Sequence, residues 1–288
     1  MLSGFSVHYL TAMTSQRIVF NSSFPRSGST LLQNILAQNP RFYCSATSGL
    51  MALLMASRGC YTNGPAFKAQ DVSVMKAGFL GYCEGALAGY YRRITDRPVC
   101  VDKSRAWFHY YEWLRQFHPE PKILICIRDL RSVLSSMEKL FRKNRHLEDA
   151  ADLPDGMHMV SIPNRVTHWL NSTPVGLAAA RLNEAVQTDT IRHFHIVRFE
   201  DLTANPSAAL KAIYAYLDEP EFEHDFENVE QTTIEDDSQH VFYGDHRIRR
   251  VVAPVAPDYR EVLGAEVSTM VKANNPEFYK RFYPDVRR

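Results

Sequence analysis

The apolar run Ile18-Val19-Phe20 leads directly into Phe24-Pro25-Arg26-Ser27-Gly28-Ser29-Thr30-Leu31-Leu32, which reads as a strand passing through a tight loop into a helix. Such a junction makes an anion site, because the first N–H groups of a helix have no partner inside it and the helix dipole favours negative charge there. In the G-x-x-x-x-G-K-[ST] frame ending at Thr30, Ser23 stands at the first glycine and Ser29 at the lysine. The lysine that reaches the terminal phosphates of a nucleoside triphosphate is therefore missing. Arg26 supplies positive charge from within the loop, which suits a shorter anion with different chemistry.

Further apolar runs at Pro98–Val101, Lys122–Ile127 and Phe194–Phe199 read, with Arg17–Asn21, as strands, each followed by a loop or helix. That alternation predicts an α/β fold with a parallel sheet flanked by helices. Leu31, Leu32, Ile35 and Leu36 share one face of the first helix, which Asn39-Pro40 ends. Leu130, Val133, Leu134, Met137, Leu140 and Phe141 follow helical spacing behind an Asp129 cap. Ligands of open parallel sheets bind at the carboxyl ends of strands, so the Arg26 loop and the segment Arg128–Ser136 are expected to flank one cleft.

With 288 residues and 45% hydrophobic content, the chain is read as a single domain over 1–288. It carries a lid segment at 144–165, marked by Pro154, Gly156 and Pro163, and a C-terminal helical tail with Phe278, Tyr279, Phe282 and Tyr283 on helical spacing. A formal charge of +1 argues against a nucleic-acid partner while permitting a local basic pocket. The odd number of cysteines, Cys44, Cys60, Cys83, Cys100 and Cys126, suggests neither a complete disulfide framework nor a zinc cluster, and fits a reducing compartment. No run of about 18 apolar residues occurs, so a cytoplasmic protein without a membrane partner is expected.

These residues resemble the sulfotransferases that use phosphoadenosine phosphosulfate (PAPS), a family with a P-loop-like fold of the nucleoside-triphosphate-hydrolase type. Phe24–Leu32 is similar to their 5′-phosphosulfate loop, in the version typical of tyrosylprotein and many bacterial sulfotransferases. Ile125–Met137 resembles their 3′-phosphate segment, Asp102-Lys103-Ser104 the strand end carrying a lysine near the sulfate, and Phe199-Glu200-Asp201-Leu202 the strand end that follows. The resemblance implies sulfuryl transfer from PAPS to a hydroxyl or amine of a small-molecule or peptide acceptor, with adenosine 3′,5′-bisphosphate as product and no metal required. It implies nucleotide binding by Arg26, Ser27, Gly28, Ser29, Thr30, Arg128, Ser136 and Phe199, and catalysis by Arg26 and Lys103. Arg247 and Arg249 are read as closing over the nucleotide phosphates, and a homodimer is compatible with the chain.

A general base is not singled out. The family's base positions are occupied by the stretch Cys44–Ser48, which has no glutamate, and by Arg105, leaving Glu84, Asp102, His109 and Glu112 as candidates. Phe199 stands where the family has a tyrosine near the adenine. Two other readings remain open: a P-loop kinase, for which Asp102 is the obvious magnesium ligand, and a nucleotide-binding module without transfer.

Overall fold

The computed structural model describes residues 16–144, 160–240 and 244–285. Its sheet is built on β1 (Arg17–Ser23), where Val19 and Phe20 are fully buried. The other strands are β2 (Phe42–Thr47), β3 (Val99–Lys103), β4 (Lys122–Ile127) and β5 (Phe194–Arg198). They lie in the order β2-β3-β1-β4-β5, every pairing parallel. β1 therefore sits centrally, Asn21 opposite Lys103 and Ser23 opposite Cys126. The chain reverses its direction of winding there, which puts a crevice at the strands' carboxyl ends.

Helices cover both faces: α1 (Ser29–Leu36), α2 (Leu50–Asn63), α3 (Pro65–Lys68), α4 (Val72–Arg92), α5 (Tyr111–Leu114), α6 (Leu130–Asn144), α7 (Ile162–Asn171), α8 (Val175–Gln187), α9 (Phe199–Ala204), α10 (Pro206–Leu217), α11 (Tyr259–Leu263), α12 (Ala265–Ala273) and α13 (Pro276–Phe282). The sheet separates two apolar cores. One packs α4, α6, α7, α8 and the C-terminal helices against Ile18, Phe20, Ile123 and Ile125. The other packs α1 and α10 against Val19, Val101, Leu124 and Cys126. Alternate residues of β1 and β4 thus face opposite cores, as the two-residue period of a strand requires.

β2 was not expected. Its sequence Phe-Tyr-Cys-Ser-Ala-Thr has no sustained apolar run, since an edge strand needs burial on fewer sides. β3 runs on past Val101 to Asp102 and Lys103, two buried polar residues that an apolar-run criterion stops short of. The segment 144–165 read as a lid falls largely on residues 145–159, outside the described residues, and at Ile162 the chain enters α7. Of the run Met51–Met55, Met51 and Leu54 are buried while Leu53 points to solvent. The five cysteines are free thiols, only Cys60 being exposed.

The tail docks on the body. Phe278 stacks on Phe24 with ring centroids 5.8 Å apart, Tyr279 donates to Asp129 Oδ1 (2.9 Å) and Tyr283 to Glu200 Oε2 (2.9 Å). Buried phenols need such acceptors, so these bonds fix the register of α13.

Candidate anion-binding and transfer site

A cavity of about 1020 Å³ lies at the carboxyl ends of the strands. One wall is the loop after β1. Arg26 and Gly28 both take positive φ, 58° and 86°, and at Gly28 a Cβ would come within 2.5 Å of the Phe199 ring, so only glycine fits there without displacement. Ser27 holds the loop from below, its hydroxyl donating to the carbonyls of Phe24 (2.8 Å) and Cys126 (2.9 Å). Behind it, Asn21 donates to Gln33 Oε1 (3.1 Å), and Gln33 donates to the carbonyls of Ser45 and Val101. This buried amide pair fixes α1 on the sheet. No side chain caps α1, which leaves its first amides directed at the cavity.

The opposite wall comes from β4 and α6. Arg128 stacks over the Phe199 ring at 4.5 Å and donates to the Arg26 carbonyl (3.3 Å). Ser132 and Ser136, one and two turns further on, also line the cavity. Arg26 spans the two walls, its Nε donating to Ser136 Oγ (3.0 Å). Asp129 turns away and caps α6 by accepting from Arg131 N (2.9 Å), while its carboxylate pairs with the Arg131 guanidinium. Glu200 accepts from Asp129 N (3.1 Å), so Tyr279 and Tyr283 brace the loop that presents Arg128.

A third wall is a strap in which residues 226–231 and 246–252 hydrogen-bond to each other, through Val229 N to the Arg250 carbonyl, Val252 N to the Phe226 carbonyl and Gln231 to His246 and Ile248. It brings His246, Arg247 and Arg249 to the cavity. It also carries two acidic residues onto the basic ones. Asp245 pairs with Arg26 at 3.0 Å, and Glu235 pairs with Lys103 at 2.6 Å. Lys103, the last residue of β3, donates as well to Thr30 Oγ1 (3.0 Å).

Arg26, Ser27, Gly28, Ser29, Thr30, Lys103, Arg128, Ser136, Phe199, Arg247 and Arg249, all named from the sequence, line this one cavity. The four base candidates do not, and each has a physical reason. Asp102 is fully buried and faces away, its two oxygens accepting from Tyr91 and Trp107 at 2.6 Å; burial pushes its carboxyl up despite those bonds. His109 lies in the turn Trp107–Tyr110 against Phe108, where burial pulls its imidazole down to about 4. Glu84 is exposed on α4, and Glu112 is exposed beside Arg115. Sequence reasoning missed Glu235 and Asp245. Glu235 opens the acidic run Glu235-Asp236-Asp237, but nothing in the spacing of that run says which cation it meets 132 residues away.

Residues 19–224 match the model of the sulfotransferase family. The chain belongs to that family. No curated protein matches its sequence. Among solved structures, the sulfotransferase domain from the curacin biosynthetic pathway is 16% identical, with a TM-score of 0.58 and coverage of 90% of this chain and 97% of that one. The sulfotransferase STF9 from Mycobacterium avium is 14% identical, with a TM-score of 0.51 and coverage of 93% and 77%. At those identities the likeness is one of fold. The strap and the tail of this sulfotransferase lie beyond the matched residues. Among the described residues no group of His, Cys, Asp and Glu could hold a metal ion, and no helix is long and apolar enough to cross a membrane.

Proposed function

We propose that this sulfotransferase moves a sulfuryl group from PAPS to a hydroxyl or amine of a small-molecule or peptide acceptor, releasing adenosine 3′,5′-bisphosphate, in the cytoplasm. The observation that carries this reading is the pair of cation and hydroxyl clusters at opposite walls of one cavity, suited to a donor with anionic groups at two separated positions. The Ser29, Thr30 and Arg26 wall fits the 5′-phosphosulfate, and Arg128 with Ser132 and Ser136 fits the 3′-phosphate. Phe199, already stacked under Arg128, offers an apolar face for the adenine.

The donor supplies a sulfur that is attacked by the acceptor oxygen or nitrogen while the bond to the phosphate oxygen breaks. The chain's part is to hold the two in line and to meet the charge that grows on the departing oxygen. Lys103 and Arg26 are the cations placed for this. The four base candidates named from sequence do not line the cavity, so a base for the acceptor's proton is better sought among the titratable side chains that do.

The kinase reading loses its magnesium ligand, because both oxygens of Asp102 are taken by Tyr91 and Trp107 away from the cavity. Calorimetric titration with adenosine 3′,5′-bisphosphate, AMP and ATP with magnesium tests the proposal, followed by an acceptor panel with PAPS. Selective binding of the bisphosphate and label transfer from PAPS are expected. Preference for ATP with magnesium would overturn the reading in favour of a kinase, and bisphosphate binding without transfer to any acceptor would leave a binding module.

A further inference from the structure

Resting on the sulfuryl-transfer reading, we propose that Glu235 is a positioning residue for the reaction: from behind the cavity wall it aims the Lys103 ammonium at the Thr30 end of the loop and supplies the counter-charge of that buried cation. The two side chains are 6% and 8% exposed, a depth at which an ammonium without a partner is strongly disfavoured. Glu235 is itself fixed. Its Oε1 accepts from Lys103 Nζ (2.6 Å) and from Thr47 N (2.9 Å), and its Oε2 faces His246 Nε2 at 3.3 Å.

Glu235 is absent from the cavity lining, whereas Thr30, Thr47, Lys103 and His246 all belong to it. Glu235 reaches the cavity through these neighbours, to which its two oxygens are bound. His246 is held from its other side by Asp237, at 2.6 Å from Nδ1, so the acidic run binds two cavity residues at once.

The charges around Lys103 set the sign of the effect. Burial pulls its ammonium below the ordinary lysine value; Glu235 opposes this by charge and hydrogen bond, Arg105 adds to the lowering, and Cys126 opposes it weakly. Asp102, next in sequence, is turned to Tyr91 and Trp107. Burial alone would raise the Glu235 carboxyl, but the Lys103 charge and the bonds from Lys103 and Thr47 hold it below the usual carboxylate range. Glu235 is thus the ionised partner that favours the protonated lysine. During transfer the proton stays on Lys103, and the electron pair of the breaking sulfur–oxygen bond goes to the phosphate oxygen that Lys103 faces; Glu235 exchanges neither.

The test uses the full chain labelled with 13C-lysine, with the Lys103 Cε resonance assigned by Lys103→Arg and followed against pH in the wild type and in Glu235→Gln. The expected result is a midpoint lower by about one to three pH units in Glu235→Gln, the span a removed neighbouring charge produces. In single-turnover transfer from PAPS the alkaline limb should move down with it, while the donor KM stays within about threefold, since Arg26 and Arg128 are untouched. Should Glu235→Gln fail to fold, Glu235→Asp takes its place; it keeps the charge at a shorter reach and should titrate at an intermediate midpoint. A midpoint unchanged in the folded variant overturns the proposal. A wild type that neither binds the bisphosphate nor transfers would overturn the sulfuryl-transfer reading instead, and the lysine titration would still decide whether Glu235 governs Lys103.

Discussion

Arg26 and Asp245, 219 residues apart, close on each other with Nη2 3.0 Å from Oδ2 and Nη1 2.5 Å from the Asp245 carbonyl. The cation of the loop after β1 thus already holds an internal carboxylate. An incoming anionic group must share Arg26 with it or displace it. The Asp245 side chain is 38% exposed, so water and salt screen the pair and displacement is inexpensive. Asp245→Asn should tighten binding of adenosine 3′,5′-bisphosphate by about two- to fivefold, as read by calorimetry at fixed salt. Weaker binding would show instead that Asp245 holds Arg26 in its useful orientation.

Arg128 presents its fork to the cavity while its plane rests on Phe199. Arg128→Ala removes a charged donor pair and should weaken bisphosphate binding by about 10- to 100-fold, in line with hydrogen bonds to charged groups. Binding of adenosine 5′-phosphosulfate, which lacks the 3′-phosphate, should change far less. Equal losses for the two ligands would reject Arg128 as the 3′-phosphate residue.

Gly28 combines a φ of 86° with a neighbour that a Cβ would meet at 2.5 Å. Gly28→Ala should cost about 1–3 kcal/mol in urea unfolding, from left-handed backbone strain and displacement of the Phe199 ring. Pairing it with Phe199→Leu should recover the steric part and leave the backbone part. A cost unchanged in the pair would assign the whole effect to the backbone.

His109 has a buried Nε2 without a hydrogen-bond partner, and burial lowers its imidazole from 6.5 to about 4. The folded state therefore disfavours the charged form. Stability is complete above the unfolded value near 6.5 and is lost progressively as the pH falls toward 4, because the unfolded chain binds the proton more readily. His109→Phe should flatten the dependence of the urea midpoint between pH 7 and pH 4.5, with little change in bisphosphate binding at pH 7. An unaltered slope would place the acid sensitivity elsewhere, for example at His224, which burial also lowers to about 4.

The loop at Arg26 and the arginine after β4 were legible because each follows a local apolar run by a residue or a few, while Lys103 and Phe199 were named through the family resemblance. All four sit at or just after strand ends, which an open parallel sheet brings to one cavity. What was illegible depends on longer reach. Asp102 and Lys103 are adjacent, yet alternation along β3 gives them to opposite faces, so only one could serve the cavity. Glu235 and Asp245 lie in irregular backbone, where neither period announces a direction, and their partners are set by how the strap crosses α1. There Asn34 Oδ1 accepts from the amides of Thr232 (2.6 Å) and Thr233 (3.1 Å). The edge strand β2 escaped because Ser45 and Thr47 interrupt its apolar residues.

The last strand ends at Arg198, whereas the strap carries Asp245, His246, Arg247 and Arg249, and the tail that braces Arg128 ends with Tyr283. During synthesis all five strands can therefore emerge before the cavity has its third wall. The cavity is complete only once the strap lies against the loop after β1, so on the proposed reading competence to bind the donor would be a late acquisition of the folding chain. On the same reading, a nucleotide bound between the strap and the loop after β1 would work as a latch: by binding the folded chain and not the unfolded one it would raise resistance to unfolding and proteolysis as its concentration rises.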